Sequence, residues 1–107
     1  MNEFSIILCT VSNKQDALKI AKSLVSKKLA ACVNFIEGLT SVYKWEDELC
    51  EETELQLLIK TKTELFSEIK KEILSLHPYE VPEIISIPIT NGLDLYLNWI
   101  RENTIKY

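Results

Sequence analysis

The one histidine of this 107-residue chain, His77, heads a segment with three further groups able to hydrogen-bond, ionise or ligate: Tyr79, Glu80 and Glu83. An imidazole titrates near neutral pH and ligates metals, which suits His77 to acid–base work or ion binding. Pro78 and Pro82 stiffen the run His77-Pro78-Tyr79-Glu80-Val81-Pro82-Glu83. One reading is a loop held in shape for a ligand. The other is a helix-ending His-Pro turn, with the imidazole favourably placed at the negative end of a helix dipole.

Cys9 closes an apolar run near the N-terminus, where a strand end would present it. Its soft thiolate, with His77 and a carboxylate, would make a site for copper or zinc, whereas a lone strand cysteine is otherwise a small buried hydrophobe. Cys32 reads as core. Cys50 lies beside Glu51 and Glu52, an acidic and exposed setting that dulls a thiol. Three cysteines without a Cys-x-x-Cys carry no zinc-finger spacing and suit a reducing cytoplasm. The acids Glu46, Asp47, Glu48, Glu51, Glu52 and Glu54 lack calcium-loop spacing and read as a solvated hairpin tip. No Ser-His-acid order and no singled-out carboxylate pair points to an enzyme.

Several partner classes are disfavoured by composition. A net charge of −4 and a single arginine, Arg101, leave little to neutralise phosphates, so nucleic acid is not an expected partner. The two glycines, Gly38 and Gly92, stand apart, which excludes the glycine-rich dinucleotide loop and the P-loop. The apolar N-terminal run is broken by Thr10, Ser12 and Asn13 and reads as neither signal peptide nor membrane span. With 47% apolar residues, the chain can form one domain over residues 1–107 with a core that needs no metal or disulfide.

The elements that must position these residues follow from periodicity. Phe4 to Val11 is largely apolar on both alternating sets, Phe4, Ile6 and Leu8 on one side and Ile7, Cys9 and Val11 on the other, as in a central strand covered on both faces. Ser12-Asn13-Lys14-Gln15 has a capping-box pattern, and Ala17, Ile20, Ala21, Leu24 and Val25 predict a helix from about 13 to 28. Ala31 to Trp45 is rich in β-formers, with a bulge expected at Glu37-Gly38. After the acidic turn Glu46-Asp47-Glu48 a second β run, clearest from Glu54 to Thr61, completes a long hairpin. Strands of this length reach roughly 50 Å, whereas a globule of this size is about 35 Å across. The hairpin therefore overhangs its domain and exposes Tyr43 and Trp45, which predicts an oligomer.

Thr63 is placed to cap a second helix bearing Leu65, Phe66, Ile69, Ile73 and Leu76, which Pro78 ends. Glu83 to Ile89 predicts a short strand, with Ile85, Ile87 and Ile89 on one face and Pro88 marking an edge or an end. Leu93 to Arg101 predicts a third helix with Leu93, Leu97 and Ile100 inward. The order is β-α-β-β-α-β plus a C-terminal helix: an α+β, ferredoxin-like split-βαβ plan.

Leu8-Cys9-Thr10, Leu29-Ala30-Ala31-Cys32-Val33-Asn34, Ser41-Val42-Tyr43-Lys44-Trp45 and the run from Glu54 to Thr61 resemble the CutA divalent-cation tolerance proteins. The segment His77-Pro78-Tyr79-Glu80-Val81-Pro82-Glu83-Ile84 is the most specific match, and Tyr96-Leu97-Asn98-Trp99 repeats that family's C-terminal pattern. The resemblance implies a ferredoxin-like subunit in a tight homotrimer, assembled as in the PII signalling proteins, with hairpins between subunits. It implies a link to tolerance of divalent cations, copper above all, and no established enzymatic activity, so the chain is not expected to be an enzyme. It maps the metal ligands to Cys9, His77 and Glu83; some members carry two adjacent histidines where this chain has Leu76-His77. The alternative is a small-molecule module that takes its ligand in an intersubunit cleft, with the Tyr79 to Glu83 loop as a wall and no metal.

Overall fold

In the computed structural model, which describes residues 2–106, β1 (Phe4–Val11) runs through the middle of a four-stranded antiparallel sheet. It lies between β3 (Glu48–Lys62) and the short β4 (Ile85–Pro88), and β2 (Cys32–Trp45) flanks β3 on the far side. The register sets Ile7 against Ile59, Cys9 against Leu57 and Val11 against Leu55. Because side chains alternate along a strand, these pairs make one continuous apolar face. On it lie α1 (Lys14–Ser26) and α2 (Phe66–Leu76), through Ala17, Ile20, Leu24, Ile69 and Ile73. Each large aliphatic chain buried there contributes roughly 1.5–3 kcal/mol, which outweighs the helices' modest intrinsic propensity.

The opposite face differs from expectation. The sequence predicts β1 covered on both sides, yet the second side is covered only at one end. There α3 (Asp94–Glu102) buries Ile100 against Phe4 and Ala31, with Leu97 alongside. Beyond α3, Leu8 and Leu58 are only half-buried, and Ile36, Ile85 and Ile87 are 52%, 51% and 47% exposed. Leu93 also departs from its predicted inward place: it precedes the first turn of α3 and is exposed.

Local signals are resolved by hydrogen bonds. Asn13, not Ser12, caps α1: its Oδ1 accepts from the Asp16 backbone N–H at 2.8 Å and its Nδ2 donates to Asp16 Oδ2 at 3.0 Å. Thr63 does not cap α2. It opens a 3-10 turn (Thr63–Leu65), and its hydroxyl bonds Ser5 Oγ at 2.6 Å, tying the turn to β1. His77 leaves the helix with ψ 132°, the extended backbone that a following proline imposes. β4 is an edge strand two residues shorter at its start than predicted, so Glu83 belongs to the loop before it.

The hairpin β2–β3 gives the molecule its long axis, 44 Å against 25 and 22 Å across. Its bulge lies where expected: Ile36 pairs with Gln56, but Leu39 pairs with Glu54, one residue out of step. Gly38, at φ +78°, supplies the left-handed backbone there. The tip pairs Trp45 with Glu48, and the two residues between, Glu46 and Asp47, both have positive φ, as a tight two-residue turn requires.

Candidate functional site

The bulge determines which side chains share a surface. Before it, Val33 and Phe35 pack toward the helices; after it the alternation inverts, and Ser41, Tyr43 and Trp45 lie opposite Glu52, Cys50 and Glu48 on the other face. That face also carries Thr10, Gln56 and Glu54. Where the strands outrun the helices, the loop from Tyr79 to Glu83 folds over it. Together they enclose a cavity of about 690 Å³ whose walls include Thr10, Tyr43, Trp45, Glu54, Tyr79 and Glu83.

Three tethers set the loop against the sheet. His77 Nε2 lies 2.8 Å from the Thr10 carbonyl, and His77 Nδ1 accepts from the Tyr79 backbone N–H at 3.1 Å. With Nδ1 accepting, Nε2 is the nitrogen that donates to the Thr10 carbonyl, so both ring nitrogens are engaged. The Tyr79 hydroxyl donates to Glu54 Oε2 at 2.7 Å. Gln56 Nε2 donates to Glu83 Oε2 at 2.9 Å and reaches the Cys9 carbonyl at 3.4 Å. Burial, followed by the hydrogen bond to the Glu54 carboxylate, pushes the Tyr79 phenol up to about 12.

The three residues that the resemblance marks as ligands occupy different surroundings. Cys9 faces the helices, fully buried in the core with Ile7, Val11 and Leu57. Desolvation first, and then the charges of Glu83 and Glu54, push its thiol up to about 12, so it is protonated at neutral pH. His77 is buried at the rim with both nitrogens in use. Glu83 lines the cavity on the side away from the Cys9 thiol. Among the described residues, no group of three or more His, Cys, Asp or Glu side chains is gathered closely enough to hold a metal ion. The set Cys9, His77 and Glu83 therefore does not fit a single ion in this arrangement. Leu76, preceding His77, packs against the core and not the cavity.

Other cavity residues escape a reading by motif. Glu52 and Glu54 belong to the acidic run expected to be solvated, yet Glu54 is only 5% exposed. Tyr43 donates its hydroxyl to Glu52 across the hairpin. The signal for Glu54 is its place at the head of the alternating run Glu54-Leu55-Gln56-Leu57, which assigns it to the face of Gln56. Its burial depends on Tyr79, which no local pattern brings near.

Comparison with known proteins adds the following. Residues 5–103 match the family model described as CutA1 divalent ion tolerance protein. The divalent-cation tolerance protein CutA of Thermus thermophilus is 50% identical over 99 residues, covering 92% of this chain and 96% of the relative. The chloroplastic CutA of Arabidopsis thaliana is 41% identical; the match covers 92% of this chain and 54% of that longer protein. Among solved structures, CutA1 from Oryza sativa superposes with a TM-score of 0.95 at 37% identity, covering 99% of this chain and 97% of the other.

Proposed function

We propose, from the premise that this chain belongs to the CutA1 divalent ion tolerance protein family, that it serves divalent-cation tolerance by capturing cations in the cavity between hairpin and loop. The working form in this reading is a homotrimer of ferredoxin-like subunits, whose neighbours cover the open apolar face and turn the cavity into an intersubunit cleft. The observation that carries the reading is the charge of the cavity wall: Glu52, Glu54, Glu80 and Glu83 line it, and among the described residues no lysine, arginine or histidine does. Carboxylate oxygens suit hard divalent cations, which are commonly held by one or two carboxylates with water completing the shell.

Calorimetric titration of metal-free protein with Mg²⁺ and Cu²⁺ tests this. Glu54→Gln and Glu83→Gln should each weaken binding about tenfold, the effect of losing one charged ligand. Affinity that survives both substitutions but disappears in Cys9→Ala or His77→Ala would move the site to the thiol and imidazole instead, as a copper centre.

A second reading, a small-molecule module without a metal, is favoured by the size of the cavity. About 690 Å³ is within the range of small-organic-ligand sites and far larger than a bare ion requires.

A further inference from the structure

The segment from Ile89 to Leu93 joins β4 to α3 at the end of the sheet where β1 begins, opposite the end that carries the cavity. Ile89 is tied to β1, its backbone N–H donating to the Phe4 carbonyl at 2.9 Å. Beyond it, Asn91 and Gly92 are exposed and belong to neither helix nor strand. Gly92 is required by packing: a Cβ there would lie 2.9 Å from Leu97 Cδ2 and 3.1 Å from its Cγ. Leu97 packs against Phe4, Ala31 and Ile100, the cluster that seats α3 on the sheet. The residue that lets α3 approach thus also leaves Asn91 followed by a backbone nitrogen with no side chain beside it.

Asparagine is thermally labile because the next backbone nitrogen can attack its side-chain carbonyl, and a missing Cβ on that next residue leaves the approach open. Of the six asparagines, only Asn91 precedes glycine. Four of the others have their carboxamides held. Asn13 accepts from the Asp16 N–H at 2.8 Å, Asn34 from Lys60 Nζ at 2.7 Å, and Asn98 from Arg101. Asn103 donates to the Trp99 carbonyl at 2.9 Å. Asn2 is followed by Glu3, whose side chain crowds the attack. Among the described residues, neither the Asn91 carboxamide nor the Gly92 N–H has a hydrogen-bond partner, so electrophile and nucleophile are both free.

We infer that Asn91 is a self-modification site, at which the folded chain loses ammonia and becomes a mixture of aspartate and isoaspartate. The Gly92 nitrogen gives up its proton and bonds to Asn91 Cγ; the Cγ–Nδ2 bond breaks, and the Nδ2 group leaves with a proton as ammonia. Water then opens the five-membered ring. Cleavage of the new bond to Cγ gives aspartate on an ordinary backbone. Cleavage of the original bond to the Asn91 carbonyl carbon gives isoaspartate, whose backbone runs through Cβ and Cγ. Water is consumed, ammonia is released, and nothing is oxidised or reduced. Either product adds a negative charge to a chain already at −4. Isoaspartate also inserts an extra main-chain atom between the tie to Phe4 and the contact with Leu97, which loosens the seat of α3. The inference is independent of what the cavity binds.

The test warms the intact chain at neutral pH, folded and separately unfolded in urea, and follows ammonia release and the masses of its proteolytic peptides. In the folded chain Asn91 should react before the other asparagines and yield both products. Its rate should lie within about tenfold of that in the unfolded chain, because an exposed segment without hydrogen bonds opens at almost no cost. Asn91→Gln changes only an exposed side chain and requires a slower six-membered closure, so the ammonia signal should be lost. Protection of Asn91 by more than about tenfold on folding, earlier reaction at Asn13, Asn34, Asn98 or Asn103, or undiminished ammonia release in Asn91→Gln overturns the inference. Chains carrying isoaspartate should show a lower urea midpoint than Asn91→Asp, which has the charge without the extra backbone atom. Equal midpoints overturn the loosening of α3.

Discussion

His77 shows how a residue chosen for its chemistry can be occupied by its structure. Its two ring nitrogens join β1, through the Thr10 carbonyl, to the backbone of Tyr79, and Tyr79 in turn holds Glu54. His77→Ala removes both partners at once and leaves a cavity beneath the loop. Urea denaturation should show a loss of about 2–4 kcal/mol, whether or not metal is present. Cys9 makes the complementary point from within the core. Its thiol, ordinarily near 9.0, ionises at about 12 in the fold, so as pH rises the unfolded chain releases that proton first. The associated stability is complete below pH 9.0 and is lost as pH climbs toward 12. Denaturation curves on either side of that window should diverge in the parent protein and diverge less in Cys9→Ala. Native protein should also resist alkylation at Cys9 until it unfolds, because a buried, protonated thiol is a poor nucleophile.

The hairpin is the element on which the site depends. Its one-residue bulge at Glu37-Gly38 inverts the alternation of β2, and so turns Tyr43 and Trp45 from the helix side to the cavity side. Its tip is less favourable than it could be. Glu46 at φ +50° and Asp47 at φ +65° adopt left-handed backbone without a glycine. Replacing the pair by Asn-Gly, the favoured chemistry for such turns, should raise stability by about 1 kcal/mol, read as an increase in urea midpoint at unchanged slope. Because neither side chain lines the cavity, ligand binding should be unaffected by that change.

At the scale of the whole molecule, the half-covered sheet is the main fact. One face is sealed by α1 and α2, while the other presents Ile36, Ile85 and Ile87 beside Leu8 and Leu58, and α3 adds exposed Leu95, Tyr96 and Trp99. In the proposed homotrimer this apolar surface lies between subunits. Sedimentation equilibrium should return three chains per particle in the proposed homotrimer. Ile36→Lys with Ile85→Lys alters only side chains exposed in the isolated subunit, so the subunit should still fold and sediment as a monomer. A particle that stays trimeric would place the subunit contacts elsewhere.

The sequence by itself determined the parts of this protein that are set by neighbours along the chain. Strand and helix order, the bulge at Glu37-Gly38, the helix stop before Pro78, the overhanging hairpin and the family signature were all legible in it. Each rests on short-range periodicity, on the restricted backbone of proline or on the permissive backbone of glycine. Thr63 and Leu93 fell on the wrong side of that line, because their partners were decided by tertiary contact with Ser5 and by the position of α3. Only the tertiary structure decided what the signature residues face. The acceptor for His77 lies 67 residues away, at the Thr10 carbonyl. Glu54 is buried by Tyr79, 25 residues on, and Cys9 is turned from Glu83 by the register of β1 against β3. The cavity exists because a one-residue bulge and a proline-stiffened loop meet over the same face of the sheet. That meeting is a long-range event, which alternation and spacing within one segment do not encode.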